Sequence, residues 1–162
     1  MSDREILRLE DQLRRSFEGE AWHGPSLMEL LADVTAQEAA ERPIANAHTI
    51  WELVLHIAGT YGLVNRRLRG NFEPLTPEQD WPPQPENPDP QEWLVALNGL
   101  RSAHQDVRRA IASYNGARLD EMLGKEYPAF IQFAGLPQHD LYHAGQIALL
   151  KKALRGVEAL KR

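Results

Sequence analysis

The sequence predicts an all-α protein: a four-helix bundle with a split first helix and a long proline-rich loop between the second and third helices. Three observations lead to this fold class. No segment alternates apolar and polar residues for long enough to predict a strand. Several segments instead repeat apolar residues at steps of three and four, and helix-capping signals stand before them. The 162 residues, 43% of them apolar, fit one domain spanning residues 1–162.

The first predicted helix covers residues 3–18, where apolar residues recur at helical steps among charged ones. Gly19 marks its end or a kink. Two capping boxes begin at Ser26 and Thr35, each with a glutamate three residues later. We therefore expect helix to resume there in short pieces, the last of which ends before Pro43.

A third capping box, Thr49-Ile-Trp-Glu52, opens the second main helix, which we expect to run to about Arg69. Residues 71–90 then hold seven of the eleven prolines, which predicts an extended connection without a regular element. Because this loop also carries Phe72 and Trp81, it is a candidate lid or dimer contact.

The third helix is predicted to start at Asp89, an N-cap residue followed by proline, and to end at Asn115 and Gly116. Its apolar residues follow steps of four and three, as in a bundle seam: Trp93, Leu97, Leu100, His104, Val107, Ile111 and Tyr114. The last helix is predicted to begin at or near Pro137 and to run to about Arg155.

Composition excludes several classes of function. The sequence has no cysteine, which removes disulfides, thiolate catalysis and cysteine-bound zinc, and leaves imidazole, carboxylate and water as metal ligands. The net charge of -5 includes no basic block, so nucleic acid is not expected as a partner. No apolar run reaches membrane-spanning length and the N-terminus lacks an apolar signal segment, so we expect no membrane partner and a cytoplasmic location.

A histidine pair in the last helix is the strongest indication of chemistry. His139 and His143 stand four residues apart in an apolar run, so both imidazoles project from one helix face and can chelate a metal. The ordinary alternative is a pair of core histidines hydrogen-bonded to their neighbours. His56, in the middle of the second helix, could supply a third ligand from a facing helix, which would leave one position open for water or substrate.

Five further residues are candidates for supporting the metal ligands or lining a pocket: His48, Glu52, His104, Asp140 and Gln146. Glu52 is either the acid of its capping box or a base or ligand near the metal. His104 is either a satisfied core residue or a fourth ligand. Asp140, Tyr142 or Gln146 could orient an imidazole by accepting its second N–H. These patterns identify no catalytic acid or base.

Two motifs resemble the DinB family, also called the DinB/YfiT-like metalloenzymes. They are Thr49-Ile-Trp-Glu-Leu-Val-Leu-His-Ile-Ala58 and Gln138-His-Asp-Leu-Tyr-His-Ala-Gly-Gln-Ile-Ala-Leu-Leu150. Trp22-His-Gly-Pro-Ser26 and residues 35–43 look like the matching upstream part, so the resemblance covers nearly the whole chain. It implies a four-helix bundle of DinB/YfiT-like type. It also implies one divalent metal ion, nickel or zinc, held by His56, His139 and His143.

The same resemblance suggests reactions and partners. Some members of the superfamily depend on a low-molecular-weight thiol, among them bacillithiol transferases and a mycothiol-dependent isomerase. With the aromatic proline-rich loop, the resemblance also favours a homodimer. Two departures stand out: Ala144 replaces an arginine found in many relatives, and Pro137 lies two residues before the first ligand.

Two functional hypotheses follow. The first is a metal-dependent enzyme, a thiol-dependent transferase or a hydrolase, that acts on a small-molecule substrate. The second is a non-catalytic metal-binding or stress-response bundle protein. DNA binding, which the damage-inducible history of the family name suggests, is disfavoured by the acidic charge.

Overall fold

The computed structural model describes residues 2–160, with side chains described for residues 3–156. It contains seven α-helices: α1 (Ser2–Glu18), α2 (Leu27–Leu31), α3 (Ala36–Ala40), α4 (Ile50–Leu68), α5 (Pro77–Asp80), α6 (Pro90–Ala112) and α7 (Ala129–Leu160). A 3-10 turn spans Gly116–Arg118. Over the described residues there is no strand, only an isolated bridge between Met122 and Pro128, so the predicted all-α class is confirmed.

The four long helices α1, α4, α6 and α7 form the body of the protein. Helix α1 packs against α6 and α7, and α4 packs against the same two helices. Consecutive long helices, α1 with α4 and α6 with α7, therefore lie mainly across the bundle from each other. For the site, the important consequence is that α4 and α7 are direct neighbours, although 60 residues separate the end of one from the start of the other.

The capping signals predict the helix starts well. Ser26, Thr35 and Thr49 each accept a hydrogen bond from the backbone N–H three residues later, and the glutamate there bonds back to the cap residue. Asp89 caps α6, with Pro90 as the first helical residue. These side chains satisfy N–H groups that the first turn of a helix leaves without partners.

The buried positions agree with the predicted seam of α6. Six of its seven residues are buried, and Tyr114 at the helix end is half-buried. On α7 the residues that face the core are buried as well: Leu136, His143, Ile147, Leu150 and Leu154. None of the helices in residues 2–160 combines the length and the apolar character needed to cross a membrane.

Two expectations about the elements are wrong. The proline-rich loop contains a regular element, the one-turn helix α5, because Thr76 and Gln79 form a further capping box around Pro77. The last helix begins at Ala129, well before Pro137, which lies in its interior. The turns before the proline bury Phe133 and Leu136 in the core, and this burial outweighs the hydrogen bond that proline cannot donate.

Candidate metal centre

Three imidazoles converge where α4 packs against α7. The Nε2 atom of His139 lies 3.0 Å from Nε2 of His56 and 3.1 Å from Nε2 of His143. One ligand atom of each residue lies within 4.8 Å of those of the other two. The four-residue spacing on α7 supplies two of these rings, and the packing of α4 supplies the third.

Burial favours the neutral form of His139 and His143. His56 is 8% exposed, His143 is 4% exposed, and His139 is half-buried. Burial, together with the neighbouring His143 and His56, lowers the pKa of His139 to about 3. Burial also lowers the pKa of His143. A neutral imidazole is the form that binds a metal ion, because one ring nitrogen then carries a free lone pair.

The second ring nitrogens show which atoms carry protons. His56 Nδ1 lies 2.7 Å from the backbone carbonyl oxygen of Asp80, and His143 Nδ1 lies 2.8 Å from Oε1 of Gln146. Carbonyl oxygens only accept, so both Nδ1 atoms donate and both Nε2 atoms face the cluster as lone pairs.

A metal ion fits this arrangement better than protons do. His139 Nε2 faces two lone pairs and carries at most one hydrogen, so at least one of the two short nitrogen–nitrogen contacts has no proton between its atoms. Among the described residues, His139 Nδ1 is buried without a hydrogen-bond partner. A cation bound to all three Nε2 atoms would remove the lone-pair repulsion, and three nitrogen ligands suit nickel or zinc.

Two residues near the cluster were missed as site candidates. Asp80 holds His56 through its backbone oxygen, and its carboxylate Oδ1 lies 3.2 Å from the same Nδ1. The Trp81 ring stacks on His56, with ring centroids 3.9 Å apart and planes within 2°. Trp81 thus covers one face of His56, whereas Phe72 in the same loop is 46% exposed. The Thr76 capping box indicates the turn that ends at Asp80 but not the contact of Asp80 with His56.

Glu52 and His48 lie beside the cluster without joining it. Glu52 accepts the Thr49 backbone N–H at 2.9 Å and pairs with Arg42 at 2.8 Å, so it performs the capping role. His48 Nδ1 lies 3.2 Å from Glu52, and its ring stacks on the far face of Trp81 with centroids 3.6 Å apart.

Asp140 points away from the three imidazoles. It is fully buried, and it accepts hydrogen bonds from the hydroxyls of Tyr61 at 2.5 Å and Ser16 at 2.8 Å. Burial raises the pKa of Asp140 to about 7, and the two hydroxyls act in the opposite direction. Of the three residues considered for orienting an imidazole, Gln146 contacts His143 Nδ1, while Tyr142 is 66% exposed with its ring edge toward His143.

His104 occupies a separate part of the core and not the cluster. Its ring stacks on Phe17 at 3.7 Å, and its Nε2 lies 3.2 Å from the backbone oxygen of Leu13, to which it donates. Burial lowers its pKa to about 4. His104 therefore has a core role, with Nε2 hydrogen-bonded and Nδ1 buried without a partner among the described residues, and does not approach as a fourth ligand. His23 lies in an exposed turn and, with Pro137, lines a cavity of about 790 Å³ between α1 and α7.

The fold and the cluster define a helical-bundle protein with a three-histidine centre suited to a divalent metal ion. The DinB superfamily model matches residues 21–147, which are 127 of the 162 residues and include all three histidines. The chain therefore belongs to the DinB superfamily. Neither a curated protein nor a solved structure matches it significantly.

Proposed function

We propose that the protein binds one divalent metal ion through Nε2 of His56, His139 and His143 and uses it as a metal-dependent enzyme. The observation that carries this proposal is the pair of short Nε2–Nε2 contacts, 3.0 and 3.1 Å, between three rings of which two are buried and one is half-buried. Protons satisfy at most one of these contacts, whereas a bound cation satisfies all three lone pairs.

Three protein ligands leave room for a further ligand, which is typical of catalytic sites and not of closed structural ones. A divalent ion held this way supplies Lewis acidity, with which water or a thiol loses its proton near neutral pH. The half-buried His139 and the exposed Tyr142 beside His143 support approach of a small-molecule substrate from that side. The protein's own contribution is to hold His56 and His143 through Asp80 and Gln146.

Between thiol transfer and hydrolysis, we favour a thiol-dependent transferase with a low-molecular-weight thiol as co-substrate, by analogy with thiol-dependent members of the superfamily. Ala144 argues against carrying over any one relative's substrate, because it is 4% exposed and adds an apolar side chain to the core where many relatives have arginine.

A specific observation favours the second candidate, a non-catalytic metal-binding protein. The two acidic candidate residues are engaged elsewhere: Glu52 caps α4 and pairs with Arg42, and Asp140 accepts from Tyr61 and Ser16. In such a protein the ion would serve stability or sequestration.

Metal binding is tested by the metal content of the purified protein and by nickel and zinc titration of matched variants. We expect about one ion per chain, as three ligands from one chain require, and a large loss of affinity in His139→Ala. His23→Ala removes an exposed histidine outside the cluster and should leave the affinity unchanged. A metal-free protein whose nickel and zinc affinities survive His139→Ala would refute the site.

Removal of the metal ion with a chelator distinguishes a catalytic ion from a structural one. If the ion is catalytic, its removal should leave the bundle folded with a modest drop in melting temperature. Adding cysteine as a thiol probe to the Co²⁺-loaded protein should then produce a sulfur-to-cobalt absorption band. If chelation costs several kcal/mol of stability and no thiol perturbs the cobalt spectrum, the structural role is favoured.

We also propose a cytoplasmic homodimer, on the basis of composition and the family resemblance. Trp81 packs against His48 and His56 of its own chain, so the dimer contact expected from the proline-rich loop would have to use other residues, such as the exposed Phe72. Light scattering tests the oligomeric state, and a monomer at micromolar concentration would contradict it.

A further inference from the structure

The Nδ1 atom and one ring face of His56 are held by a segment of the proline-rich loop. Asp80 ends α5 and presents two oxygens to His56 Nδ1, the backbone oxygen at 2.7 Å and carboxylate Oδ1 at 3.2 Å. A ring N–H cannot point fully at both oxygens, so the shorter contact, to the carbonyl, fixes the proton on Nδ1. The negative carboxylate nearby polarises this N–H further.

Trp81 holds the same imidazole from its face. The indole lies between two histidines, with His56 on one side at 3.9 Å and 2° and His48 on the other at 3.6 Å and 8°. Three parallel rings at these separations are in van der Waals contact, so the His56 imidazole cannot rotate about its Cβ–Cγ bond without displacing Trp81. His48 is in turn close to Glu52, which is fixed by the α4 cap.

The backbone of this segment is anchored on both sides of Asp80 and Trp81. Before them, a Cβ atom at Gly59 of α4 would lie 3.2 Å from the backbone oxygen of Gln79, so α5 approaches α4 closely. After them, the Gln84 side chain accepts from the Thr49 hydroxyl at 2.6 Å and donates to the Ala40 carbonyl at 3.0 Å. The loop therefore presents Asp80 and Trp81 to His56 in a defined position.

We propose that Asp80 and Trp81 are positioning residues for the metal centre: Asp80 fixes the tautomer and basicity of His56, and Trp81 fixes the ring orientation and covers it from water. The inference rests on the proposed metal function and assigns a role to a loop outside the bundle. Outer partners that accept the second N–H of a ligating histidine commonly change metal affinity by about 10- to 100-fold when removed.

Substitutions of Asp80 and Trp81 remove different interactions with His56. Asp80→Asn keeps the backbone carbonyl and a neutral side-chain oxygen, so it removes only the negative charge. Trp81→Ala removes the stack and opens one face of His56 to water. Trp81→Phe retains an aromatic face and should restore part of the lost affinity.

The experiment measures the affinity for Co²⁺ and Zn²⁺ by chelator competition, together with the visible absorption spectrum of the Co²⁺-loaded protein. We expect Asp80→Asn to weaken binding about tenfold, and Trp81→Ala to weaken it about 10- to 100-fold and shift the cobalt bands. Glu78→Gln is the matched control for the first, as it removes an exposed carboxylate of the same turn. Phe72→Ala is the control for the second, as it removes an aromatic ring of the same loop.

The results separate this inference from the proposed function. If the wild-type protein binds neither ion, the proposed function fails. If the wild type binds and Asp80→Asn and Trp81→Ala keep wild-type affinity and cobalt spectrum, the positioning role alone fails. Should Trp81→Ala fail to fold by circular dichroism, Trp81→Phe and Asp80→Asn decide, and unchanged affinity and spectrum in both would overturn the inference.

Discussion

Buried histidines play two different parts in this protein. At the cluster, the Nε2 atoms of His56, His139 and His143 face one another at distances that suit a bound cation. His104, in contrast, donates from Nε2 to a backbone oxygen of α1 and stacks on Phe17. Burial is the main cause that lowers the pKa of His104 to about 4; the hydrogen bond to Leu13 opposes it and the nearby Arg108 guanidinium adds to it. The neutral His104 ring is therefore part of the packed core and not of the metal centre.

We expect this neutrality to make stability depend on pH. The folded pKa of about 4 lies below the ordinary 6.5, so between these values the unfolded chain binds a proton that the folded chain does not. The free energy of unfolding therefore falls as pH falls through this window, and the contribution of His104 is complete above it. In His104→Gln, which can still donate to Leu13, the fall should be less steep by up to about 1.4 kcal/mol per pH unit.

The measurement is denaturant unfolding of the metal-free protein at pH values between about 7 and 4. His139 and Asp140 also have shifted pKa values, but both are present in the wild type and the variant, so their effects cancel in the comparison. His23→Gln serves as the control and should keep the wild-type slope. Equal slopes for the wild type and His104→Gln would contradict the prediction.

The three histidines of the cluster and Gln146 beside His143 could be predicted as candidates, but the partners of His56 could not. A spacing of four places His139 and His143 on one face of any helix, and the resemblance in the two motifs adds His56. Asp80 and Trp81 reach His56 across 24 and 25 positions of sequence through a loop whose path depends on packing. No local pattern encodes such a contact, and the same holds for the Tyr61–Asp140 hydrogen bond, which joins α4 to α7.

At the scale of elements, local signals define where helices start better than how they continue. Four N-caps and the α6 seam follow from side-chain chemistry within a few residues, and the structure confirms them. Pro137 is informative because it was expected near a helix start and instead lies inside α7. The burial of the turns before Pro137 determines where α7 begins, and this burial depends on the packing of the whole bundle.

Helix α4 offers a matched pair of glycines for testing how closely α5 packs against it. At Gly62 an added Cβ would meet nothing within 4 Å, so Gly62→Ala should raise the free energy of unfolding by about 0.5–1 kcal/mol through helix propensity alone. At Gly59 the same change brings Cβ to 3.2 Å from the Gln79 oxygen, so part of this gain is lost. Chemical denaturation should show Gly59→Ala to be the less stable variant, and equal gains would contradict the close packing.

At the scale of the whole molecule, the order of packing creates the site. Sequence periodicity predicts four long helices but not which of them touch, and the pairing of α4 with α7 is what joins His56 to the pair on the last helix. The bundle thus serves as a frame that brings two helices and one loop together.

The coordination of the ion is the most direct test of this account. X-ray absorption spectroscopy of the protein loaded with one zinc ion per chain should show three imidazole nitrogens at about 2.0–2.1 Å, with room for a further light ligand. Histidine scattering should diminish when His139 is replaced by alanine. A zinc shell without imidazole scattering, or one that His139→Ala leaves unchanged, would contradict the three-histidine centre.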